Sequence, residues 1–214
     1  MREKEREAWL KTALAPGLDA PTLVRLLQAL GDPELLLHAD YAAVSRAAGD
    51  AAARAEPITA FDEELRRLAA DMAETMYAAP GVGLAANQVG VLRRIVVVDV
   101  TEDKSGLMTL INPEVVEASE ELRDCEEGCL SLKGLYEHVK RPDRVRVRAQ
   151  NLDGETFEFE ATGLLATCVQ HEIDHLEGVV FIDHLSRLKK DRAAQKLRKL
   201  RLNDKKKAEE EAKR

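Results

Sequence analysis

The chain has few cysteines, few aromatic residues and no excess of positive charge. Three cysteines among 214 residues make a poor disulfide framework and suit a reducing compartment. A formal net charge of -7 argues against a general nucleic-acid or membrane binder. No apolar run approaches the roughly 18 residues that cross a bilayer, and no apolar signal-peptide core follows residues 1–7. We therefore expect a globular protein of the cytoplasm, with no membrane partner.

Local composition divides the chain into three parts. Residues 1–52 form a predicted segment of short helices, which we interpret as a fusion fragment. Residues 53–186 form the predicted main domain. Residues 187–214 carry 13 lysines and arginines against 5 acidic residues, which predicts a basic C-terminal helix and tail.

Hydrophobic periodicity predicts the elements of the central part. Residues 61–78 have apolar side chains every three or four positions, as in an amphipathic helix. Residues 94–100 are typical of a strand buried on both faces, another strand begins at residue 109, and residues 143–160 alternate as a hairpin does. A last helix begins at Thr162 or Gly163 and ends at Gly178. Because strands precede one central helix, we expect an α+β fold.

That last helix carries the residues with the clearest chemistry. His171 and His175 are four residues apart, so their imidazoles project from one face and could reach one metal ion. Glu172 points partly toward the same side, where it could take a proton from a metal-bound water. A thiolate from Cys129 would be a third ligand and would leave a coordination position open, as in catalytic rather than structural sites.

Three motifs in a fixed order resemble those of peptide deformylases. They are Gly81-Val82-Gly83-Leu84-Ala85-Ala86-Asn87-Gln88, Glu127-Gly128-Cys129-Leu130-Ser131 and Gln170-His171-Glu172-Ile173-Asp174-His175. The resemblance covers about residues 55–200. It implies a peptide-deformylase-like α+β fold, with antiparallel sheets around a central metal-binding helix, and hydrolysis that removes the formyl group from formyl-methionyl nascent polypeptides.

The resemblance also implies roles for individual residues. Cys129, His171 and His175 would hold one Fe²⁺ per chain, with Zn²⁺ or Ni²⁺ as substitutes. Glu172 would be the general acid and base. The side-chain N–H of Gln88 and the backbone N–H of Leu130 would donate hydrogen bonds to the developing oxyanion.

Further positions would bind the substrate. Gly83 matches a backbone position that pairs with the substrate as an added strand. An apolar pocket for the methionine side chain would be lined by Val82, Leu130, Tyr136, Thr167 and Cys168. Asp174 either orients a metal ligand from outside the coordination sphere or faces solvent, and the sequence leaves both interpretations open.

The first part of the chain departs from the deformylase pattern. The short strand and extended segment that usually precede the position of Pro57 have no counterpart that we can find. Residues 7–48 instead weakly resemble the small N-terminal helical module of DNA-processing protein A. With 7 basic and 8 acidic residues, residues 1–55 are too balanced in charge for a phosphate-binding face, so we expect no specific DNA binding.

Two other functions stay open on the sequence alone. His-Glu-x-x-His also occurs in zinc endopeptidases, although these would not be expected to use a cysteine such as Cys129 as the third ligand. A catalytically impaired deformylase-like protein with a ribosome- or DNA-binding role is the other alternative. Whichever of these functions holds, the basic C-terminal helix either contacts ribosomal RNA phosphates or is simply a solvated amphipathic face, and the sequence leaves both interpretations open.

Overall fold

The computed structural model of the protein describes residues 55–211. It contains three α-helices, seven strands and three short 3₁₀-helices within these residues. The α-helices are α1 (Glu63–Ala78), α2 (Gly163–Leu176) and α3 (Arg187–Glu211). The strands are β1 (Gly83–Ala85), β2 (Ile95–Val98), β3 (Met108–Ala118), β4 (Leu122–Gly128), β5 (Tyr136–Pro142), β6 (Arg144–Gln150) and β7 (Thr156–Thr162). The 3₁₀-helices are Ala86–Val89, Leu130–Leu132 and Phe181–His184.

The strands form two antiparallel sheets. Five strands pair in the order β1-β2-β3-β6-β7, and β4 and β5 form a separate two-stranded sheet. Strands and helices are thus largely segregated along the chain, with α2 following all seven strands. This arrangement confirms the predicted α+β class.

Strand β2 is buried on both faces because a helix covers each side of the sheet there. Val96 and Val98 belong to the core cluster that contains Val169 and Leu176 of α2. Ile95 and Val97, which alternate with them, belong to the cluster formed with Leu65, Met72 and Met76 of α1. Successive side chains of a strand point to opposite faces, so the continuous apolar run predicted this double burial.

Both predicted core helices have clear signals at their ends. Asp62 is the N-cap of α1, and its carboxylate accepts a hydrogen bond of 3.0 Å from the backbone N–H of Leu65. Helix α2 begins after Thr162 and ends at Leu176, and Gly178 follows with a φ of 76°. Such a positive φ favours glycine, which explains why the helix ends there.

The sheet of β4 and β5 has no counterpart among the predicted strands. Most of its side chains are exposed, so the sequence lacks the apolar alternation that marks a half-buried strand. Its position is fixed at one end by a third core cluster, in which Leu132, Leu135 and Val139 pack with Phe181 and with Ala193 of α3. This cluster connects the Cys129 segment to the C-terminal helix.

The first described residues are held to the domain at several points. The backbone N–H of Ala55 donates to the carbonyl oxygen of Leu176 at 2.9 Å, and that of Glu56 donates to Leu92 at 2.9 Å. The side chain of Asn112 bonds both backbone polar groups of Ile58, each at 2.8 Å. Hydrogen bonds therefore hold residues 55–58 against the domain.

Other predictions about the N-terminal part fall outside the described residues. These are the helices of residues 1–52 and the likeness of residues 7–48 to DNA-processing protein A. The domain boundaries near residues 52 and 186 stay predictions. Among the described helices, none combines the length and the apolar character that a transmembrane span needs.

Candidate active site

Three predicted ligands lie together at the centre of the domain. One turn of α2 separates His171 from His175, and their Nε2 atoms are 3.2 Å apart. The Sγ atom of Cys129 lies 3.1 Å from His175 Nε2, and one ligand atom from each of the three residues lies within 4.8 Å of the others. Tetrahedral ligands about 2.0–2.3 Å from a metal are roughly 3.3–3.7 Å from one another. The group therefore has the composition and spacing to hold one divalent ion.

A buried carboxylate orients His171 from outside this group. Glu127 Oε2 accepts a hydrogen bond of 2.8 Å from His171 Nδ1, which leaves Nε2 directed toward Cys129 and His175. Burial opposes protonation of the ring, but hydrogen bonds to Cys129 and Glu127 outweigh it and raise the pKa of His171 to about 10. An acceptor on the far nitrogen makes an imidazole a more basic ligand, so Glu127 favours cation binding at Nε2.

Glu127 is in turn held by Arg141, which is 4% exposed. The guanidinium donates to both carboxylate oxygens, with Nη2 3.0 Å from Oε2, and its Nη1 donates to Asp174 Oδ2 at 2.8 Å. Of the two interpretations left open for Asp174, the structure places its carboxylate against Arg141, with the side chain 23% exposed. A buried arginine between two carboxylates is a satisfied ion network that keeps Glu127 in one orientation.

Sequence reasoning missed Glu127 and Arg141. Glu127 was named only as part of the second motif and was given no role. Metal-bound histidines, however, usually donate their second N–H to a carboxylate or carbonyl. That rule is a signal that could have found it. Arg141 lies 14 residues further on, and only the register that pairs Arg123 with Arg141 across β4 and β5 brings it to this side of the sheet.

Two further residues fix the histidines and were also missed. The ring of Phe181 stacks on that of His171, with centroids 6.0 Å apart. Asn87 Nδ2 donates to the backbone carbonyl oxygen of His175. Asn87 was given no role from the sequence. Its hydrogen bond to His175 connects the first motif to the end of α2.

The carboxylate of Glu172 lies in a buried position. The residue is 4% exposed, and its Oε2 atom has no hydrogen-bond partner among the described residues. Burial disfavours the charged form and raises the pKa of Glu172 to about 7, although the charges of His171 and Arg141 oppose the shift. A group with a pKa near neutrality can both accept and donate a proton, as a general acid and base must.

The two predicted oxyanion donors flank Cys129. The Gln88 Oε1 atom accepts a hydrogen bond of 2.8 Å from the backbone N–H of Ala85, which turns the amide so that Nε2 faces Ser131 Oγ at 3.0 Å and Cys129 Sγ at 3.7 Å. Leu130 is the first residue of its 3₁₀-helix, so its backbone N–H has no intrahelical acceptor. The Gln88 amide is therefore directed toward Cys129, and the Leu130 N–H is left without a partner inside its helix.

One cavity of about 790 Å³ brings these residues together. Its lining includes the predicted chemical residues Gln88, Cys129, Leu130, His171 and Glu172, and the predicted substrate contacts Val82, Gly83, Tyr136, Thr167 and Cys168. His175 lies behind the cavity wall and is 1% exposed. This volume is within the range of sites that bind small ligands.

Position 83 requires a glycine because its backbone lies directly against the side chain of Glu172. A Cβ atom at this position would lie 2.4 Å from Glu172 Oε1 and 2.8 Å from Cys168 Sγ. We expect Gly83→Ala to displace the carboxylate and to lower kcat by about 100-fold, since a misplacement of about 1 Å can cost that much. Steady-state kinetics on metal-loaded protein would measure it.

Gly90→Ala is the matched control for that variant. Gly90 has a φ of 83°, so alanine strains the backbone there, but a Cβ atom would meet nothing within 4 Å. The control should lose stability by about 1–2 kcal/mol and keep its kcat. An unchanged kcat in Gly83→Ala would contradict the proposed closeness of Gly83 and Glu172 in the working enzyme.

A metal-ligand group, a buried carboxylate and a substrate-sized cavity in one place are typical of a metal-dependent hydrolase. The polypeptide deformylase family model matches residues 51–191 of the chain. The chain belongs to the peptide deformylase family.

Curated relatives and solved structures agree with this assignment. The chain is 57% identical over 146 residues to peptide deformylase 1 of Burkholderia multivorans, which covers 68% of this chain and 81% of the relative. It is 56% identical over 145 residues to the peptide deformylase of Azotobacter vinelandii, covering 68% and 86%. The crystal structure of a peptide deformylase from Legionella pneumophila is 46% identical, has a TM-score of 0.66 and covers 70% of this chain and 88% of that one.

A crystal structure of a peptide deformylase from Synechococcus elongatus in complex with actinonin is also similar. Its TM-score is 0.65 at 40% identity, and the match covers 69% of this chain and 83% of that one. These findings confirm the predicted family, fold class and enzyme class, and they do not favour the catalytically impaired alternative. The likeness to DNA-processing protein A has no support in them.

Proposed function

We propose that the protein removes the formyl group from the N-terminal formyl-methionine of nascent polypeptides. Water and the formyl amide become formate and a peptide with a free amino group. The observation that carries the proposal is that Cys129, His171 and Glu172 line the same cavity, with His175 beside them in the ligand group. Substrates that are still being made at the ribosome would place the enzyme in the cytoplasm and in protein biosynthesis.

The donor set fits one divalent metal ion per chain. We propose Fe²⁺ in the cell, with Zn²⁺ or Ni²⁺ as substitutes, held by Cys129, His171 and His175. One thiolate and two neutral imidazoles suit each of these ions and leave a formal charge of +1. Such an ion supplies Lewis acidity, which lowers the pKa of bound water and polarises the formyl oxygen.

The chain's own groups move the protons and stabilise the developing charge. Glu172 accepts a proton from the attacking water and then donates it to the leaving amine nitrogen. Gln88 Nε2 and the Leu130 backbone N–H donate to the developing oxyanion, and each such donor typically stabilises the transition state by roughly 3 kcal/mol. The enclosed position of Glu172 keeps bulk water from screening these interactions.

The substrate backbone would add a strand at β1. This strand lies at one end of the five-stranded order, with β2 on one side. Its first residue, Gly83, lines the cavity, as do Gly81 and Val82 just before it. Main-chain pairing tolerates different side chains, which suits an enzyme that accepts most new proteins. The methionine side chain would occupy the apolar part of the cavity near Val82, Leu130, Tyr136, Thr167 and Cys168.

Formate release from formyl-Met-Ala-Ser tests the proposed function. Protein purified without oxygen and loaded with Fe²⁺ should release one formate per peptide, and acetyl-Met-Ala-Ser should be a much poorer substrate. A zinc endopeptidase would instead cut an internal peptide bond of a longer substrate, which mass spectrometry would detect. Absence of formate from metal-loaded, folded protein would overturn the proposal.

We also propose that α3 contacts the ribosome. Its exposed side chains include Lys189, Arg192 and Lys196, and lysine and arginine contacts to phosphates weaken steeply with salt. Changing these three residues to glutamate should abolish salt-sensitive co-sedimentation with ribosomes and leave formate release from a free tripeptide unchanged.

A second triple variant controls for the loss of charge alone. Arg67, Lys140 and Arg144 are exposed on the catalytic domain, and their change to glutamate gives the same change in net charge. It should reduce co-sedimentation much less than the α3 variant. Equal losses in both variants would mean that overall charge, and not α3, governs the association.

A further inference from the structure

A continuous row of hydrogen bonds leads from His171 to the protein surface at His184. On the basis of the function proposed above, we infer that His184 is a positioning residue of the metal centre, acting through Asp174, Arg141 and Glu127. His184 does not line the active-site cavity, and nothing in the three motifs includes it.

The inner half of the row is rigid. Arg141 and Glu127 have side chains that are 5% and 4% exposed, and the guanidinium donates to both oxygens of the carboxylate. This fork-to-fork geometry couples rotation of one group to rotation of the other. The orientation of Glu127 against His171 is therefore set by where Arg141 lies.

Asp174 connects this rigid pair to His184. Its Oδ2 atom accepts from Arg141 Nη1 at 2.8 Å and from His184 Nε2 at 2.7 Å. Because both donors meet one oxygen, His184 restricts the rotamer in which Asp174 presents that oxygen to Arg141. The side chain of Asp174 is 23% exposed, so without His184 water could compete for it.

His184 is itself held in place. It ends the 3₁₀-helix Phe181–His184, in which Phe181 and Ile182 are buried in the third core cluster. Asp183 Oδ2 accepts from the backbone N–H of Val180 at 3.0 Å, and Lys190 of α3 donates to Asp183 Oδ1. Because His184 belongs to this fixed 3₁₀-helix, its imidazole holds the carboxylate of Asp174 in one position.

The expected effect is modest but specific. Loss of a direct partner of a metal-ligating histidine typically costs 10–100-fold in metal affinity or activity. His184 is four contacts away from His171 along this row, so we expect its loss to speed metal release by roughly 3–10-fold and to lower kcat by a similar factor. KM should stay unchanged, since His184 touches none of the cavity.

Two variants separate the hydrogen bond from packing. His184→Phe removes the donor and keeps an aromatic ring, whereas His184→Gln keeps an N–H donor at a similar distance from the backbone. His138→Phe is the matched control, because His138 is also a surface histidine bonded to an aspartate, with Nδ1 2.8 Å from Asp124 Oδ1. Asp124 has no described contact with Arg141 or Glu127.

The experiment measures the release of Ni²⁺ from the loaded full-length protein to a chelator, followed by kcat and KM for formyl-Met-Ala-Ser. We expect faster release and lower kcat for His184→Phe, recovery in His184→Gln, and no change in His138→Phe. Equal release rates for His184→Phe and wild type, or equal losses in the Phe and Gln variants, would overturn the inference. Failure of the proposed function is distinguishable, because then wild-type protein would release no formate whatever its metal-release rate.

Discussion

Glu172→Gln is expected to lower kcat for formate release by about 1,000-fold. General acid–base catalysis typically contributes 10²–10⁴-fold, and an amide can neither accept the proton of water nor deliver it to the amine. The substitution keeps the size of a side chain that is 4% exposed, so packing around Gly83 and Cys168 should persist. Steady-state kinetics and metal analysis of the same preparation would measure both consequences.

Glu126→Gln is the matched control for this prediction. Glu126 also lines the cavity but is exposed, and it lies outside the metal-ligand group. Its change to glutamine should alter kcat by less than about 3-fold, within the range of surface substitutions. If Glu172→Gln kept more than a tenth of wild-type kcat with a full complement of metal, Glu172 would not be the proton-transfer group.

The metal-ligand group was accessible from the sequence because its geometry is mostly local. The positions of His171, Glu172 and His175 relative to one another follow from the period of one helix, and periodicity predicted that helix with its ends at Thr162 and Gly178. Cys129 could be proposed as the third ligand because a thiolate is one of the groups that commonly bind such metals. Helix α1 and strand β2 were predictable for the same reason, since their apolar patterns are strong.

The residues that orient the group were not accessible in this way. Arg141 reaches Glu127 only through the pairing of β4 with β5, and register between strands of exposed, charged residues has little signature in the sequence. Strand β1 is absent from the predicted strands, because three residues are too few to show alternation. Asn87 and Phe181 act through contacts with α2 that depend on the tertiary packing of distant segments.

Cys129→Ser is expected to remove most of the metal affinity. Structural zinc sites with about four ligands bind with roughly 10–16 kcal/mol, so one ligand is worth about 3–4 kcal/mol, or roughly 10²–10³-fold. Serine keeps an acceptor near the backbone N–H of Ser131, which Cys129 Sγ contacts at 3.4 Å, but a hydroxyl is a far weaker ligand for such a metal than a thiolate is. Formate release at limiting metal should fall at least as far as the affinity does.

Thermal stability supplies a measurement of this loss that is independent of catalysis. A metal present at 1,000 times its Kd stabilises a protein by about 4.1 kcal/mol, whereas after a 10³-fold loss of affinity the same concentration gives only about 0.4 kcal/mol. For a domain of this size the difference corresponds to a metal-induced rise in Tm that is smaller by about 7–15 °C.

Cys125→Ser is the matched control. Cys125 lies four residues before Cys129 and outside the ligand group. Among the described contacts its sulfur accepts a hydrogen bond only from Thr167 Oγ1, at 3.4 Å. It should keep the full metal-induced rise, and an undiminished rise in Cys129→Ser would mean that the sulfur of Cys129 is not a ligand.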